Sequence, residues 1–283
     1  MLLLIAYIPV DIDEAIKREG NRRRFSARTI ESYQNCVRKF LYRTGKTIDV
    51  VSKKDIREYL EELAEKDYSG STLNVNLQAL KFFFCGIMNK KMKIYLKYSK
   101  ESKKLPVVLS KEEVKKLLDN INNEKHKFIV SFMYSTGVRV SELVNIHVGD
   151  LELERGFGWV RHGKGDKDRM FIISEKLING LAALTKNKNP GEFLFLTNKN
   201  QKYNVNSIYM IIKNASKLSG IARYKRVHPH TLRHSFATHL IENGYSIGDV
   251  QHLLGHASPE TTTVYIHTAS SKMLGIKSPL DNL

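Results

Sequence analysis

The chain has 283 residues, 42% of them hydrophobic, and carries a formal net charge of +17 from 46 Lys and Arg against 29 Asp and Glu. This is long enough for two domains of ordinary size and too apolar for wholesale disorder. The basic excess points to a polyanionic partner, nucleic acid before an anionic membrane surface.

The first residues, MLLLIAYIPVDIDEAI, hold a short apolar run with no basic residue before it and acids directly after. The run is too short to span a bilayer and does not have the form of a signal peptide. It reads as a small docking strand or a helix start in a cytoplasmic protein with no membrane partner. Cys36 and Cys85 each sit among apolar helical residues. They read as free thiols in a reducing interior, with no disulfide framework.

From residue 26 to 44, Ile30, Tyr33, Val37, Phe40 and Leu41 recur at helical spacing, and Gly45 stops the run. Ser52 is placed to cap the next helix with Asp55 as the reciprocal acid, ahead of Ile56, Tyr59, Leu60 and Leu63. A third helix is predicted after Ser71 and Thr72, through Leu73, Leu77, Leu80, Phe84 and Ile87. The stretch KKMKIYLKYSKESKKLP, 90 to 106, is lysine-rich and closed by Pro106. It reads as a connector, either solvated or lying along phosphates.

Ser110 and Glu113 form a second capping box, ahead of Val114, Leu117, Leu118 and Ile121. A buried helix through Phe128, Phe132 and Met133 ends near Gly137, and another starts at once through Val140, Leu143, Val144 and Ile146. Residues 151 to 173 switch to β-type runs broken by Gly-containing turns at 155–158 and 163–168, which predicts a small antiparallel sheet. Helices return from Ser174 to near the end. There is no internal repeat.

Four places concentrate basic side chains in unusual settings. In TGVRVSEL, Arg139 opens a helix just after a glycine break, where anions are favoured, and Glu142 is within reach three residues on. A plain ion pair would read the same way. In HGKGDKDR, glycines flank Lys164 at a hairpin tip, with Lys167 in the same tip, and the sequence does not choose between the two lysines. In HPHTLRHSFATHL, helical spacing puts Leu232, Phe236 and Leu240 on one face with His239 beside them, and His230, Arg233 and His234 on another. His230 and His234 have zinc-ligand spacing, but Thr231 stands where that motif needs Glu, and Arg233 would repel a cation. In LLGHASPETTTVYIHT, His256 follows Gly255, and Tyr265 lies nine residues beyond it.

Taken together, these sites supply positive charge and hydrogen-bond donors and no metal cage. That set suits a phosphodiester. Arginine forks bind two phosphate oxygens at once, and several cations would neutralise the added charge of a five-coordinate phosphorus. No Walker-type glycine loop is present, so nucleotide hydrolysis is not indicated. A tyrosine nucleophile, about one part in a thousand ionised at pH 7, would be activated by neighbouring positive charge.

The motifs TGVRVSELVNI, GKGDKDR, HPHTLRHSFATHL, VQHLLGH and TTTVYIH, in this order, resemble the catalytic motifs of the tyrosine recombinases, or integrases. RFSARTIESYQNCVRKFL and STLNVNLQALKFFF resemble the helices of that family's core-binding domain. The likeness spans nearly the whole chain. It is greatest to the Xer branch, which resolves chromosome dimers, with archaeal members in view. It implies a mainly α protein of two domains, an N-terminal helical core-binding (SAM-like) domain and a mostly helical catalytic domain with a small antiparallel sheet. The expected boundaries are 1–90 for the first domain, 91–107 for a basic linker, and 108–283 for the catalytic domain and its docking tail.

The resemblance assigns Arg139 and Arg233 to the scissile phosphate, His230 to the histidine of the HxxR motif and His256 to the place filled by His or Trp. Lys164 matches the general acid for the leaving 5′ oxygen, ahead of Lys167. Glu142 matches the acid that supports the first arginine, and Tyr265 the nucleophile that forms a 3′-phosphotyrosyl link. His234 and His239 have no such role and read as structural. No ATP, metal or other cofactor is implied. The implied partner is double-stranded DNA, held as two duplexes by four protomers, with a C-terminal tail docking in trans through Met273, Leu274 and Ile276. The implied target is a dif-like site. Gly275 and Pro279 depart from the longer helical tails of the family. Two other readings use the same residues: a type IB topoisomerase-like relaxase, and a DNA-binding protein with a dead site. The short basic helical N-terminal unit favours the recombinase, and every matched position holds a chemically competent residue.

Overall fold

The computed structural model describes residues 11–90, 92, 99, 107–161, 163, 168–255 and 278–282. The chain forms two units, 1–104 and 105–283. It is mainly α, with one three-stranded antiparallel sheet in the second unit.

Among the described residues the first unit packs four α-helices: α1 (Ile12–Arg22), α2 (Ala27–Thr44), α3 (Lys53–Glu65) and α4 (Gly70–Lys81). Their starts are written in side chains. Asp11 caps α1, Ser26 caps α2, and Ser52 with Asp55 completes the expected capping box on α3. The Asp55 carboxylate also accepts from Lys46 Nζ at 2.6 Å. That hydrogen bond, then the Ser52 backbone N–H, pulls its pKa down to about 2. Of the apolar stripe of α2, Ile30, Val37 and Phe40 are buried, the last two fully, and Tyr33 and Leu41 are half-buried against the same core. The third predicted helix begins earlier than expected. Ser69, not Ser71 or Thr72, is the cap: its hydroxyl accepts from the Thr72 N–H, so α4 starts at Gly70. It continues as a π-helical turn over Phe82–Ile87. Three consecutive phenylalanines cannot share one α-helical face, and the wider turn lets Phe82, Phe83 and Phe84 all enter the core. There Phe84 meets Phe40 edge to face at 5.7 Å.

The predicted connector is partly tied back to this unit. Lys90 Nζ donates to three carbonyls, of Ile48, Asp49 and Val51. Ser99 exchanges hydrogen bonds with the Asn74 side chain on α4.

The second unit contains α5 (Lys111–Asp119), α6 (Glu124–Thr136), the single turn α7 (Val140–Leu143), the strands β1 (Leu151–Glu152), β2 (Phe157–Val160) and β3 (Arg169–Ile172), then α8 (Glu175–Thr185), α9 (Val205–Leu218), α10 (Pro229–Glu242) and α11 (Ile247–Leu254). Ser110 and Glu113 form the expected box on α5. The core is centred on α6, whose Ile129, Val130, Phe132 and Tyr134 are fully buried, and on the Leu232, Phe236, Leu240 face of α10. The sheet runs β1-β2-β3, with Trp159 opposite Met170 and Val160 opposite Arg169. Two expectations are revised. The helix after Gly137 is only four residues long: past Leu143 the backbone bonds tighten to the i to i+3 kind, Asn145 N–H to the Glu142 carbonyl and Ile146 N–H to that of Leu143, and the chain leaves the helix. Residues 186–204 are not helical; they are a loop pinned by isolated bridges, His147 with Phe193 and Leu196 with Lys202.

Candidate active site

The site is built where α6 ends. Gly137 closes that helix with φ 62°, and a Cβ there would come within 2.4 Å of the Phe236 ring on α10. The glycine therefore permits both the turn and the close approach of the two helices. Two residues on, Arg139 starts α7. Its backbone N–H donates to Glu142 Oε2 at 2.8 Å, and its Nη1 donates to Oε1 at 2.6 Å. The expected i,i+3 pair is thus present, and the carboxylate doubles as a helix cap.

The pair is not isolated. Arg169, at the head of β3, donates from Nη2 to Glu142 Oε2 at 2.5 Å and from Nη1 to the Leu253 carbonyl at 2.7 Å. Arg233 on α10 lies with Nη1 4.0 Å from Glu142 Oε2. It donates instead to the carbonyls of Gly137, at 2.6 Å, and Leu254. One buried carboxylate therefore gathers three guanidinia, with side-chain exposures of 18% for Arg139, 8% for Arg169 and 4% for Arg233.

Burial acts to raise the pKa of Glu142, but the charge of Arg169 and the hydrogen bonds from Arg139 outweigh it and hold the acid ionised. Arg233 is pushed down to about 9, first by burial and then by the charges of Arg169 and Arg139. It stays protonated at neutral pH, in a place where its charge is under-compensated. Only two of its five N–H donors are used by the two carbonyls. An anion bound here would relieve the repulsion and take up the remaining donors.

His230 lies near the start of α10, one residue after Pro229, with its side chain exposed. Partial burial and then the nearby His228, His234, Arg233 and Arg139 lower its pKa, so it is neutral at pH 7. His234 is shifted the same way by burial and Arg233. His239 is buried, and its Nδ1 pairs with Tyr134 Oη at 2.8 Å, a contact within the core. Among the described residues no group of three or more His, Cys, Asp or Glu side chains could hold a metal ion, and no helix is long and apolar enough to cross a membrane.

The structure thus brings together Arg139, Glu142 and Arg233, with His230 within their electrostatic reach. Lys164, Lys167, His256, Tyr265 and the tail residues Met273, Leu274 and Ile276 lie outside the described residues. The last described turn, Pro279–Asn282, packs in the same unit. Ser278 donates to the Ser135 carbonyl at 3.0 Å, Leu280 is buried, and Asp281 accepts from Ser174 at the head of α8. Arg169 was not singled out from the sequence. Its signal was there: in a strand, residues 169 and 171 share a face, and Phe171 is a core residue.

Comparison with known proteins gives the family. The phage integrase family matches residues 107–272, and the phage integrase N-terminal SAM-like domain matches residues 13–94. The chain belongs to the phage integrase family, the tyrosine recombinases, which cleave and rejoin DNA. Its similarity runs to the Xer members. It is 35% identical over 263 residues to a tyrosine recombinase of Thermosipho africanus, covering 88% of this chain and 92% of that protein. It is 36% identical over 241 residues to tyrosine recombinase XerA of Pyrococcus horikoshii, covering 82% of each. The fold also matches that of the XerH site-specific recombinase bound to palindromic difH substrate, with a TM-score of 0.65 at 24% identity over 93% of this chain and 82% of that one.

Proposed function

We propose that this chain is a site-specific recombinase that cuts and reseals double-stranded DNA through a 3′-phosphotyrosyl intermediate, resolving chromosome dimers at a dif-like site. The observation that carries the reading is the convergence of Arg139, Arg169 and Arg233 on the single carboxylate of Glu142. Such a cluster is costly to bury, and a phosphate gives it a purpose. The Xer names of the relatives and the difH substrate of the XerH complex support the choice of target.

In the proposed reaction Arg139 and Arg233 hold the scissile phosphate and Glu142 orients Arg139. The Tyr265 hydroxyl oxygen attacks phosphorus, its proton passing to neutral His230, and the bond from phosphorus to the 5′ oxygen breaks. Lys164 gives the leaving oxygen its proton, and His256 adds a hydrogen-bond donor to the phosphate. A 5′-hydroxyl of the partner duplex then attacks the phosphotyrosine, its proton passing to the now neutral Lys164, and the released tyrosine oxygen takes a proton back from His230. The phosphotyrosine conserves the bond, so neither ATP nor a metal enters the scheme. Four protomers on two duplexes, with the basic segment 91–107 as the linker and Met273, Leu274 and Ile276 docked on a neighbour, would make the exchange reciprocal.

The test is covalent trapping on nicked duplexes carrying candidate sites, with the adduct mapped by mass spectrometry. An adduct on Tyr265 that Tyr265→Phe loses is expected. An adduct on another tyrosine, or site-independent relaxation of any supercoiled plasmid, would overturn the reading.

A further inference from the structure

Arg169 is an unusual residue for its position. It opens β3, opposite Val160 and on the same face as the fully buried Phe171, where an apolar side chain would serve the core. Exchanging a buried ion pair for well-packed apolar groups is often neutral or stabilising, so the fold alone does not call for an arginine here. Space is nevertheless made for it. Gly255 ends α11 with φ 59°, and a Cβ there would sit 2.5 Å from Arg169 Cδ. The guanidinium fills that gap with Nε buried and without a hydrogen-bond partner among the described residues.

Its two made contacts point in different directions. Nη2 holds Glu142 Oε2 and Nη1 holds the Leu253 carbonyl. Glu142 Oε2 has two guanidinia beside it: Arg169, hydrogen-bonded, and Arg233, at 4.0 Å. Whichever arginine takes that oxygen has its charge spent on the carboxylate. We infer that Arg169 is a positioning residue of the active site: it occupies Glu142 Oε2 so that Arg233 stays free for phosphate, and it ties β3 to the end of α11. In the chain Arg169 lies five residues after Lys164, and Leu253 three before His256, so the tie joins the bases of two motif-bearing segments. Without Arg169 the carboxylate turns to Arg233 and neutralises it.

This inference deepens the proposed function and rests on it. Its test uses the full chain with Arg169→Lys, which keeps the charge and loses the fork, and Gly255→Ala, which displaces the fork. Thermal melting checks folding, and inorganic phosphate is the first probe. The wild type should melt higher with phosphate than with chloride at equal ionic strength, and both variants should lose most of that rise. On a nicked duplex both should bind within about threefold of the wild type, because affinity is spread over many phosphates. Both should cleave about 10–100-fold more slowly, the range for residues that act through another. Arg169→Lys added to Glu142→Gln should cleave no more slowly than Glu142→Gln alone. A folded Arg169→Lys that keeps the phosphate rise or the wild-type cleavage rate would sink the inference. So would a double variant slowed by the product of the two single effects, or an Arg169→Lys chain that does not fold, since the role would then be structural. If the wild type cleaves no duplex, the proposed function fails, and the phosphate rise alone decides Arg169.

Discussion

Arg233 Nη1 lies 4.0 Å from Glu142 Oε2, yet it donates its hydrogen bond to the carbonyl of Gly137 at 2.6 Å. The acid nearest to the most buried of the three arginines is thus committed to the other two. Arg233 is left with charge to offer.

That leads to a prediction about phosphate. Inorganic phosphate or sulfate should stabilise the protein beyond any effect of ionic strength, by about 1.4 kcal/mol at ten times its dissociation constant. Arg233→Lys should remove most of this, and slow DNA cleavage by about 100-fold or more, the range seen when one fixed donor to a reacting oxyanion is lost. Calorimetry with and without the anion reads the first effect. A melting temperature indifferent to phosphate would mean that the surplus charge is already matched.

Stability should fall on mild acidification. His126, His228, His230, His234 and His239 all have pKa values lowered in the fold, burial being the largest cause in each. Below about pH 6.5 the unfolded chain takes up protons that the folded chain refuses, so stability is lost as pH falls. Asp55, with its pKa near 2, and Glu142 act with the same sign at lower pH, since their stabilisation is present above the usual carboxylate range and lost as pH drops through it. Melting temperature should therefore be level from pH 8 to 7, decline below about 6.5 and fall more steeply below about 4. A maximum near pH 5 would contradict this.

Gly137→Ala should damage both fold and site. A left-handed alanine costs about 1–2 kcal/mol, and the methyl group would meet the Phe236 ring at 2.4 Å. The combined loss should exceed about 2 kcal/mol. Cleavage should slow as well, because the Gly137 carbonyl positions Arg233. Adding Phe236→Leu should recover part of the stability. Denaturant unfolding of the two variants beside the wild type measures it, and a neutral Gly137→Ala would show that α6 and α10 have slack at this crossing.

Much of this organisation is legible in the sequence itself. Ser52 with Asp55 and Ser110 with Glu113 were readable as caps because capping boxes are local, three residues from end to end. Arg139, Glu142 and Arg233 were readable because their motifs stand in a familiar order. What escaped depended on contacts distant in sequence. Arg169 gained its meaning from Glu142, 27 positions away, and from Leu253, 84 positions away. Lys90 belongs to a basic run that reads as a connector, solvated or lying along phosphates, and three carbonyls some 40 residues earlier claim it. The π-helical turn at Phe82–Ile87 escaped because periodicity presumes an α-helix.

The left-handed glycines that end α6 and α11 have a shared electrical consequence. Gly137 ends the 13-residue α6 and Gly255 the 8-residue α11, and the carbonyls of Gly137, Leu253 and Leu254 all accept from guanidinia of the cluster. Both helices therefore turn the negative ends of their macrodipoles towards the arginines. Each end is equivalent to about half an elementary charge, so the pair supplies about one. With Glu142 that makes about two negative charges against three guanidinia, and about one positive charge remains. A phosphodiester in its ground state, singly charged, closes that balance. The further negative charge of a five-coordinate phosphorus is left for another donor to meet, the part proposed here for His256.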